Sequence, residues 1–214
     1  MSQQERAART QNALVRSAAE LFERRGYEKA SLNEISSGAG VSRGALHFHF
    51  DTKAEVADAV EAAAVRALRH AVESLPTQDG SALQGLMDLS HCLAGLLVRD
   101  AVVRAGFLLS CEAGERACID LCQEWQTHVH GFVARAANEG SLAPEVSQEG
   151  LVNAVVAATV GLAVLSRSDK GWLTGRALTG FWKVLLQAVA DPRTSAGLQP
   201  DGTRREGDDD RGRH

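Results

Sequence analysis

The sequence predicts an all-α fold, and three observations support this prediction. Ala, Leu, Glu and Arg, which are good helix formers, are abundant. Apolar residues recur at helical spacing and do not alternate with polar residues over any long window, as a half-buried strand would require. Proline, which interrupts helices, occurs only 4 times in 214 residues.

The first predicted helix runs from about Thr10 to Arg25. Leu14, Ala18 and Phe22 fall on one apolar stripe of this helix. Gly26 follows at the position where a C-cap glycine belongs. The stripe marks the face of the helix that packs inward.

Two short helices follow, and their spacing is that of a helix-turn-helix. Ser31 and Glu34 form a capping box at the start of the second helix, which ends near Gly40. Ser42 caps a third helix over residues 43–49. In a DNA-binding helix-turn-helix, the second of the two helices lies in the major groove and its first residues meet base edges. Spacing alone leaves open another interpretation, in which both are capped helices of an ordinary helical core.

The first residues of the helix at 43–49 suit contacts with DNA. Arg43 can pair bidentately with guanine, Gly44 lets the backbone approach closely, and Ala45 can touch a thymine methyl group. The net charge is −4, so the prediction rests on this local pattern and not on the overall charge. The candidate contacts on these grounds are Ser42, Arg43, Gly44, Ala45, His47, His49 and Lys53.

The rest of the chain predicts a larger helical domain. Further helices are expected at residues 53–73, 82–98, 101–112, 116–139, 147–167 and 174–190. Residues 75–81 form a predicted linker, and the scarcity of apolar residues near the C-terminus predicts disorder there. The predicted domains are a helix-turn-helix domain (1–52), a ligand-binding and dimerisation domain (53–192) and a disordered tail (193–214).

The larger domain has apolar helices that could line a ligand chamber. Trp125 lies in the middle of a predicted helix, where its ring could stack on a ligand while its N–H donates one hydrogen bond. The other interpretation is that Trp125 is a plain core residue. The residues expected to line a chamber are Trp125, Leu86, Leu89, Leu93, Leu108, Val129, Val156 and Thr159.

The helices at 147–167 and 174–190 predict a homodimer surface. Each carries an apolar stripe, and two such helices from each subunit would form a four-helix interface. A palindromic operator would need such a two-fold protein. The stripes also fit an internal core of the subunit. Their members are Leu151, Val155, Ala158, Leu162 and Leu165, and then Leu178, Phe181, Trp182, Leu185 and Val189.

No catalytic, metal or cofactor site is predicted. The cysteines form no CxxC pair; they are Cys92, Cys111, Cys118 and Cys122. Inert thiols are the default expectation, and a redox switch through Cys111 and Cys118 stays open. His128 and His130 point apart on a helix, which disfavours zinc.

A cytoplasmic protein without a membrane segment is expected. Residues 1–12 are polar and do not form a signal peptide. The most apolar stretch, residues 151–165, is too short to span a bilayer and predicts a buried helix.

The N-terminal motifs resemble those of the TetR repressor family. They are Leu21-Phe22 with Gly26-Tyr27, Ser31-Leu32-Asn33-Glu34-Ile35, the run from Ala39 to Phe50, and Lys53. The resemblance implies a DNA-binding repressor and adds Ser31 to the candidate contacts. The family usually has Tyr where this chain has His47, so a phosphate contact there would depend on pH.

Part of the larger domain resembles the γ-butyrolactone autoregulator receptors of antibiotic-producing actinomycetes. The resemblance lies in the run Asp100–Leu109 and in Glu124-Trp125, and it implies that Trp125 lines a ligand pocket. A related group, the pseudo-receptors, responds to antibiotics or their intermediates, and the sequence leaves both groups open. The predicted function is a dimeric repressor, released from a palindromic operator by a small signalling lactone or an antibiotic or intermediate, that controls secondary metabolism. The alternatives are a repressor without a ligand and a helical scaffold or enzyme that does not bind DNA.

Overall fold

The protein is described by a computed structural model that covers residues 2–75, 81–112 and 121–203. The all-α prediction is confirmed. The helices within these ranges are α1 (Gln3–Arg25), α2 (Leu32–Gly38), α3 (Arg43–His49), α4 (Lys53–Glu73), α5 (Ala82–Arg99), α6 (Ala101–Glu112), α7 (Leu121–Asn138), α8 (Gln148–Leu165) and α9 (Gly175–Val189).

Capping residues set where several helices begin. Ser31 makes both halves of the predicted capping box, and the Ser42 hydroxyl accepts a hydrogen bond from the backbone N–H of Ala45 at 3.1 Å. A further capping box at Ser2 starts α1 at Gln3, earlier than the predicted start at Thr10. Local side-chain chemistry therefore accounts for the helix-turn-helix boundaries.

The chain forms two compact units. The first comprises Met1–Glu73 and Leu96–Gln126, and the second comprises Ser74–Gly95 and Thr127–His214. They do not divide at the predicted boundary after residue 52, because α4 packs against α1 and α6 and shares the core of the first unit. Helices α5 and α7 each contribute residues to both units.

The core of the first unit joins the helix-turn-helix to α1, α4 and α6. Its buried side chains include Leu14, Ala18, Phe22, Ile35, Leu46, Val56, Val60, Ala105 and Leu109. Helices α4 and α6 approach each other closely, because a Cβ atom at Gly106 would collide with Ala64. A displacement of α6 would therefore act directly on α4.

Two bidentate ion pairs hold the helices of the first unit. Arg104 on α6 donates to both carboxylate oxygens of Glu23 on α1, at 2.7 and 3.1 Å. Arg69 on α4 donates to both carboxylate oxygens of Glu124 on α7, at 2.7 and 2.8 Å. The planar guanidinium matches a carboxylate in this geometry, so each pair fixes the relative orientation of two helices.

In the second unit, backbone contacts tie the end of α9 to the α7–α8 connection. The backbone N–H of Ala143 donates to the carbonyl of Val189, and that of Asp191 donates to the carbonyl of Ser141, both at 2.9 Å. The Arg193 side chain and backbone donate to Asp191, which lowers the pKa of this carboxyl to about 2. The chain therefore leaves α9 in a defined direction.

The segment after α9 differs from the sequence prediction. Gln199, Pro200 and Thr203 hydrogen-bond to side chains of α5, whereas the composition of the tail predicted disorder from residue 193. This difference arises because α5, which is distant in the sequence, supplies polar partners that the composition of the tail does not reveal. Residues 204–214, and residues 76–80 of the predicted linker, lie outside the described residues.

Helices α8 and α9 bury only part of the stripes predicted for them. The residues of those stripes that lie in the subunit's own core are Leu151, Val155, Leu178, Trp182 and Val189. By length and composition α8 could cross a membrane, a test that core helices of soluble proteins also pass, and 28% of it is buried. The expectation of a buried helix at 151–165 is therefore wrong for its outer side, where Val164 and Leu165 are exposed.

Candidate DNA-binding surface and ligand-lining residues

Helix α3 presents its leading residues to solvent. Ser42, Arg43 and Gly44 are exposed, whereas Leu46 and Phe50 are buried in the core of the first unit. The helix is thus anchored through its inner face, and its N-terminal end faces outward. This is the orientation that a recognition helix requires.

A glycine makes the turn between α2 and α3. Gly40 has a φ of +68°, in the left-handed region that glycine adopts without steric cost. At the preceding helix end, a Cβ atom at Gly38 would collide with the Ser17 hydroxyl, which donates to the Ile35 carbonyl at 2.8 Å. These contacts seat α2 against α1 and so set the position of α3.

Arg43 and His47 lie one turn apart on the exposed side of α3. The Arg43 Nε donates to the His47 Nε2 at 3.4 Å, which is a long hydrogen bond. A ring nitrogen accepts only when it carries no proton, so this contact exists only for neutral His47. The contact holds the two side chains next to each other on this surface.

Ser31 acts first as a helix cap. Its hydroxyl accepts from the Glu34 backbone N–H at 3.3 Å and donates to the Glu34 carboxylate at 2.7 Å. Arg25 pairs with the same carboxylate at 2.6 Å. The Ser31 hydroxyl, followed by the Arg25 charge, holds the pKa of Glu34 below its usual range. A phosphate at Ser31 would therefore meet a carboxylate whose charge Arg25 offsets.

Lys53 points back toward its own protein. Its Nζ donates to the backbone carbonyls of Tyr27 and Glu28, both at 3.0 Å, and lies 4.4 Å from the centroid of the Tyr27 ring. These bonds attach the start of α4 to the loop before Ser31. Two of the three ammonium N–H groups are thereby used within the protein. A phosphate contact through the third N–H stays a prediction.

Phe48 is 80% exposed on α3, although it was not among the predicted contacts. Its ring meets the half-buried His49 ring edge-on, with 5.2 Å between centroids. The signal was present in the spacing of two aromatic residues. Phe48 and Phe50 are about 200° apart on a helix, so both cannot face one core. Ala45, at the front of α3, is half-buried.

An open groove between α1 and α2 carries further polar groups that the sequence analysis did not select. Its lining residues are Leu21, Arg24, Arg25, Asn33, Glu34 and Ser37. In helix-turn-helix proteins the first helix crosses the DNA backbone. Arg24 and Asn33, both exposed, are therefore additional candidates for phosphate contacts.

The predicted ligand-lining residues fall in both compact units. Trp125 and Leu108 belong to the first unit, and the others belong to the second: Leu86, Leu89, Leu93, Val129, Val156 and Thr159. Trp125 is 2% exposed, and Leu108 and Val156 are half-buried. The Thr159 hydroxyl donates to carbonyls within α8, at 2.8 and 3.0 Å. Such burial suits a chamber wall and a core equally, so ligand contact by these residues stays a prediction.

The cysteines do not form a metal site in the part of the chain that is described. Cys92 and Cys122 are half-buried and Cys111 is exposed. Cys118 lies outside the described residues. Among the described residues, no group of three or more His, Cys, Asp or Glu side chains is placed to hold a metal ion.

Comparisons with known proteins agree with this geometry. A family model described as "Bacterial regulatory proteins, tetR family" matches residues 14–60, which include α2 and α3. The A-factor receptor protein of Streptomyces griseus is 29% identical over 203 residues, which cover 94% of this chain and 71% of that protein.

Two solved structures share the fold over most of the chain. A γ-butyrolactone receptor (ArpA-like protein) has a TM-score of 0.77 and 29% identity, covering 89% of this chain and 93% of that chain. CprB from Streptomyces coelicolor, a TetR family protein solved in complex with its biological operator sequence, has a TM-score of 0.75 and 30% identity. That match covers 88% of this chain and 92% of CprB.

The relatives are named as transcriptional regulators and receptors, not as enzymes. The match to CprB extends beyond the helix-turn-helix and includes the larger helical region. The chain therefore belongs to the TetR family of bacterial regulatory proteins, as a DNA-binding repressor similar to the γ-butyrolactone receptors.

Proposed function

We propose that this protein is a cytoplasmic, dimeric repressor of a palindromic operator. It leaves the operator when a small signalling lactone, or an antibiotic or one of its intermediates, binds to it. The observation that carries the DNA part is the outward-facing, capped N-terminal end of α3. The relative CprB, solved with its operator, supports the same use of this fold here.

Each exposed residue of α3 has a proposed role at the DNA. Arg43 pairs with a guanine, and Gly44 allows the helix to approach the base edges. Phe48 contacts a thymine methyl group or a deoxyribose, since its ring is 80% exposed on the same helix. Ser42 and His47 bind phosphate oxygens. Ala45 and His49 are half-buried and contribute less.

Helices α8 and α9 supply the proposed dimer surface. Val184 on α9 is 72% exposed, and Val164 and Leu165 on α8 are each 44% exposed. Ala157, on the outer side of α8, is small enough to let a partner helix approach closely. Burial of such apolar groups against a second copy is favourable, and a two-fold dimer matches a palindromic operator.

The proposed ligand is a small, largely apolar molecule that contacts Trp125. The relatives named as A-factor and γ-butyrolactone receptors support a lactone. Control of secondary metabolism is part of the same proposal. An indole supplies both a broad apolar face and one N–H donor, which suits a lactone with a carbonyl group.

Helix α4 is the proposed connection between ligand and DNA. It begins at Lys53, directly after the turn that follows α3. Glu124, the neighbour of Trp125, forms the bidentate pair with Arg69 on α4. A ligand that shifts Trp125 therefore acts on α4 through this pair. A coupling free energy of about 1–3 kcal/mol would change operator affinity by about 5- to 150-fold.

The DNA part is tested by operator selection and a matched pair of variants. Wild-type protein selects its operator from random duplexes, and gel shifts then measure affinity for that operator. Arg43→Ala should lose about 1–3 kcal/mol of discrimination in each half-site. Arg99→Ala, which changes an exposed arginine at the end of α5, should bind like wild type. Unchanged sequence-specific binding by Arg43→Ala would refute the proposed recognition.

The ligand part is tested by fluorescence. Replacing Trp172 and Trp182 with Phe leaves Trp125 as the single indole. A γ-butyrolactone should quench its emission and release the operator at the same concentrations. Parallel samples contain an antibiotic, or an intermediate of an antibiotic, in place of the lactone, which tests the other proposed ligand class. If operator binding is intact and every compound leaves emission and binding unchanged, the protein is a repressor without a ligand of these classes.

A further inference from the structure

Three side chains on one face of α5 hold the C-terminal strap, which we define as residues 198–203. The Gln84 side chain accepts from the Gln199 backbone N–H at 2.7 Å and donates to the Gln199 carbonyl at 3.2 Å. One amide side chain thus pairs with both backbone groups of a single residue, as a neighbouring strand would. Gln84 is only 6% exposed under this contact.

Asp88 makes the charged contact with the C-terminal strap. One carboxylate oxygen accepts from the Thr203 backbone N–H and the other accepts from the Thr203 hydroxyl, each at 2.7 Å. The Gln84 amide donates to the first oxygen at 3.0 Å, which links the two contacts. Hydrogen bonds to an ionised acceptor are stronger than neutral ones, so this pair anchors the end of the strap.

The turn of the strap fits His91. The His91 Nε2 lies 2.8 Å from the Pro200 carbonyl, so its N–H donates there. Gly202 has a φ of +78°, and its N–H donates to the Gln199 carbonyl at 3.0 Å. The turn needs glycine for this conformation, and a Cβ atom at Gly202 would stand 3.2 Å from the His91 ring, which is a tight contact.

The contacted face is opposite the predicted ligand-lining face of α5. With about 100° per residue, Gln84, Asp88 and His91 cluster on one side of the helix. Leu86, Leu89 and Leu93 cluster about 170° away from them. The strap therefore binds one face of α5, and the opposite face of α5 is predicted to contact the ligand.

We propose that this face of α5 is a binding site for a short peptide that contains a β-turn, occupied by the C-terminal strap of the same chain, and that the strap restrains α5. The site fits this occupant, since Asp88 accepts from the Thr203 hydroxyl and the His91 ring lies against Gly202 of the turn. A second consequence rests on the proposed ligand function: the restraint slows entry and exit of ligand at the opposite face.

Two truncations separate the strap from the rest of the tail. One variant ends at residue 198 and lacks the contacts; the control ends at residue 203 and keeps them. Hydrogen exchange of α5 backbone amides is measured in both, with circular dichroism to confirm that each is folded. The shorter chain should exchange these amides about tenfold faster than wild type, and the control should match wild type.

Point variants and a peptide guard against a folding artefact of truncation. Asp88→Ala should accelerate α5 exchange, whereas Asp201→Ala, at an exposed position of the same strap, should not. A synthetic peptide of residues 196–203, added in excess to the shorter chain, should restore protection. Equal α5 exchange in all variants would overturn the proposal, as would acceleration by Asp201→Ala as large as that by Asp88→Ala.

The ligand consequence has its own readout. Stopped-flow quenching of Trp125 by a γ-butyrolactone should show association and dissociation about tenfold faster in the chain ending at 198 than in the chain ending at 203. Altered α5 exchange with unchanged lactone kinetics would overturn this consequence alone. Altered exchange with no lactone signal in wild type would contradict the proposed ligand class and leave the strap intact.

Discussion

Helices α3 and α9 both leave one side uncovered, and the chemistry of the two uncovered sides is opposite. The outer side of α3 carries Arg43, His47 and the ring of Phe48, whereas the outer side of α9 carries Val184. Both helices bury their inner sides well. An uncovered polar side suits a charged, hydrated partner such as DNA, and an uncovered aliphatic side suits a second protein surface.

The contrast teaches that exposure alone does not identify a partner. Isolated apolar residues are normal on protein surfaces, so Val184 has meaning only together with the exposed residues of α8. Arg43 likewise has meaning because it follows a helix cap at the front of a helix-turn-helix. If the two surfaces act separately, a change in one leaves the other intact.

The largest expected effect is loss of the dimer on Val184→Asp. Two-fold symmetry would place the new carboxylate of each subunit in the interface. An uncompensated buried charge costs about 3–5 kcal/mol. Analytical ultracentrifugation should show a monomer, and gel shifts should show loss of operator binding although α3 is unchanged. Val98→Asp, at a valine that is 56% exposed in the first unit, is the control and should remain dimeric. A dimeric Val184→Asp protein would contradict the assignment of this surface.

The next effect contrasts the two sides of α3. Phe50→Ala removes a buried ring and should lower the free energy of unfolding by about 3–5 kcal/mol, measured in urea. Phe48→Ala removes an exposed ring and should leave stability within about 0.5 kcal/mol of wild type while weakening operator binding. Equal destabilisation by both variants would show that Phe48 is packed in solution.

A smaller effect is expected from the cap of α3. Ser42→Ala removes the acceptor for the Ala45 N–H and should cost about 1 kcal/mol of stability. Ser42→Asp retains a capping group but brings a negative charge toward phosphate. It should therefore keep stability and lose operator affinity. If Ser42→Asp lost as much stability as Ser42→Ala, Ser42 would not act through capping.

Local chemistry made the helix-turn-helix predictable. Ser31, Gly40 and Ser42 act on residues within a few positions of themselves, so their spacing in the sequence was sufficient. Lys53 was different, because the carbonyls that it binds come from a loop 25 and 26 residues earlier. Its inward orientation could not be read from its neighbours.

Long-range pairing explains what the sequence analysis missed at the C-terminus. Asp88 and Thr203 are 115 residues apart, and neither belongs to a pattern that points to the other. The tail is polar because its partners on α5 are polar, which by composition looks like disorder. On α8 and α9 the difficulty was the reverse, since apolar residues on both sides gave no means of separating core from interface.

Recognition of DNA by the leading residues of α3 is tested most directly by changing Arg43 and its proposed guanine partner together. Each guanine of the selected half-site is replaced in turn by 7-deazaguanine, which lacks the N7 acceptor but keeps the base pair. At one such guanine, wild-type protein should lose affinity about fivefold or more, since a bidentate contact is worth about 1–3 kcal/mol. Arg43→Ala should bind the modified and unmodified operators equally. Equal losses for wild type and Arg43→Ala at every guanine would contradict recognition of DNA by the leading residues of α3.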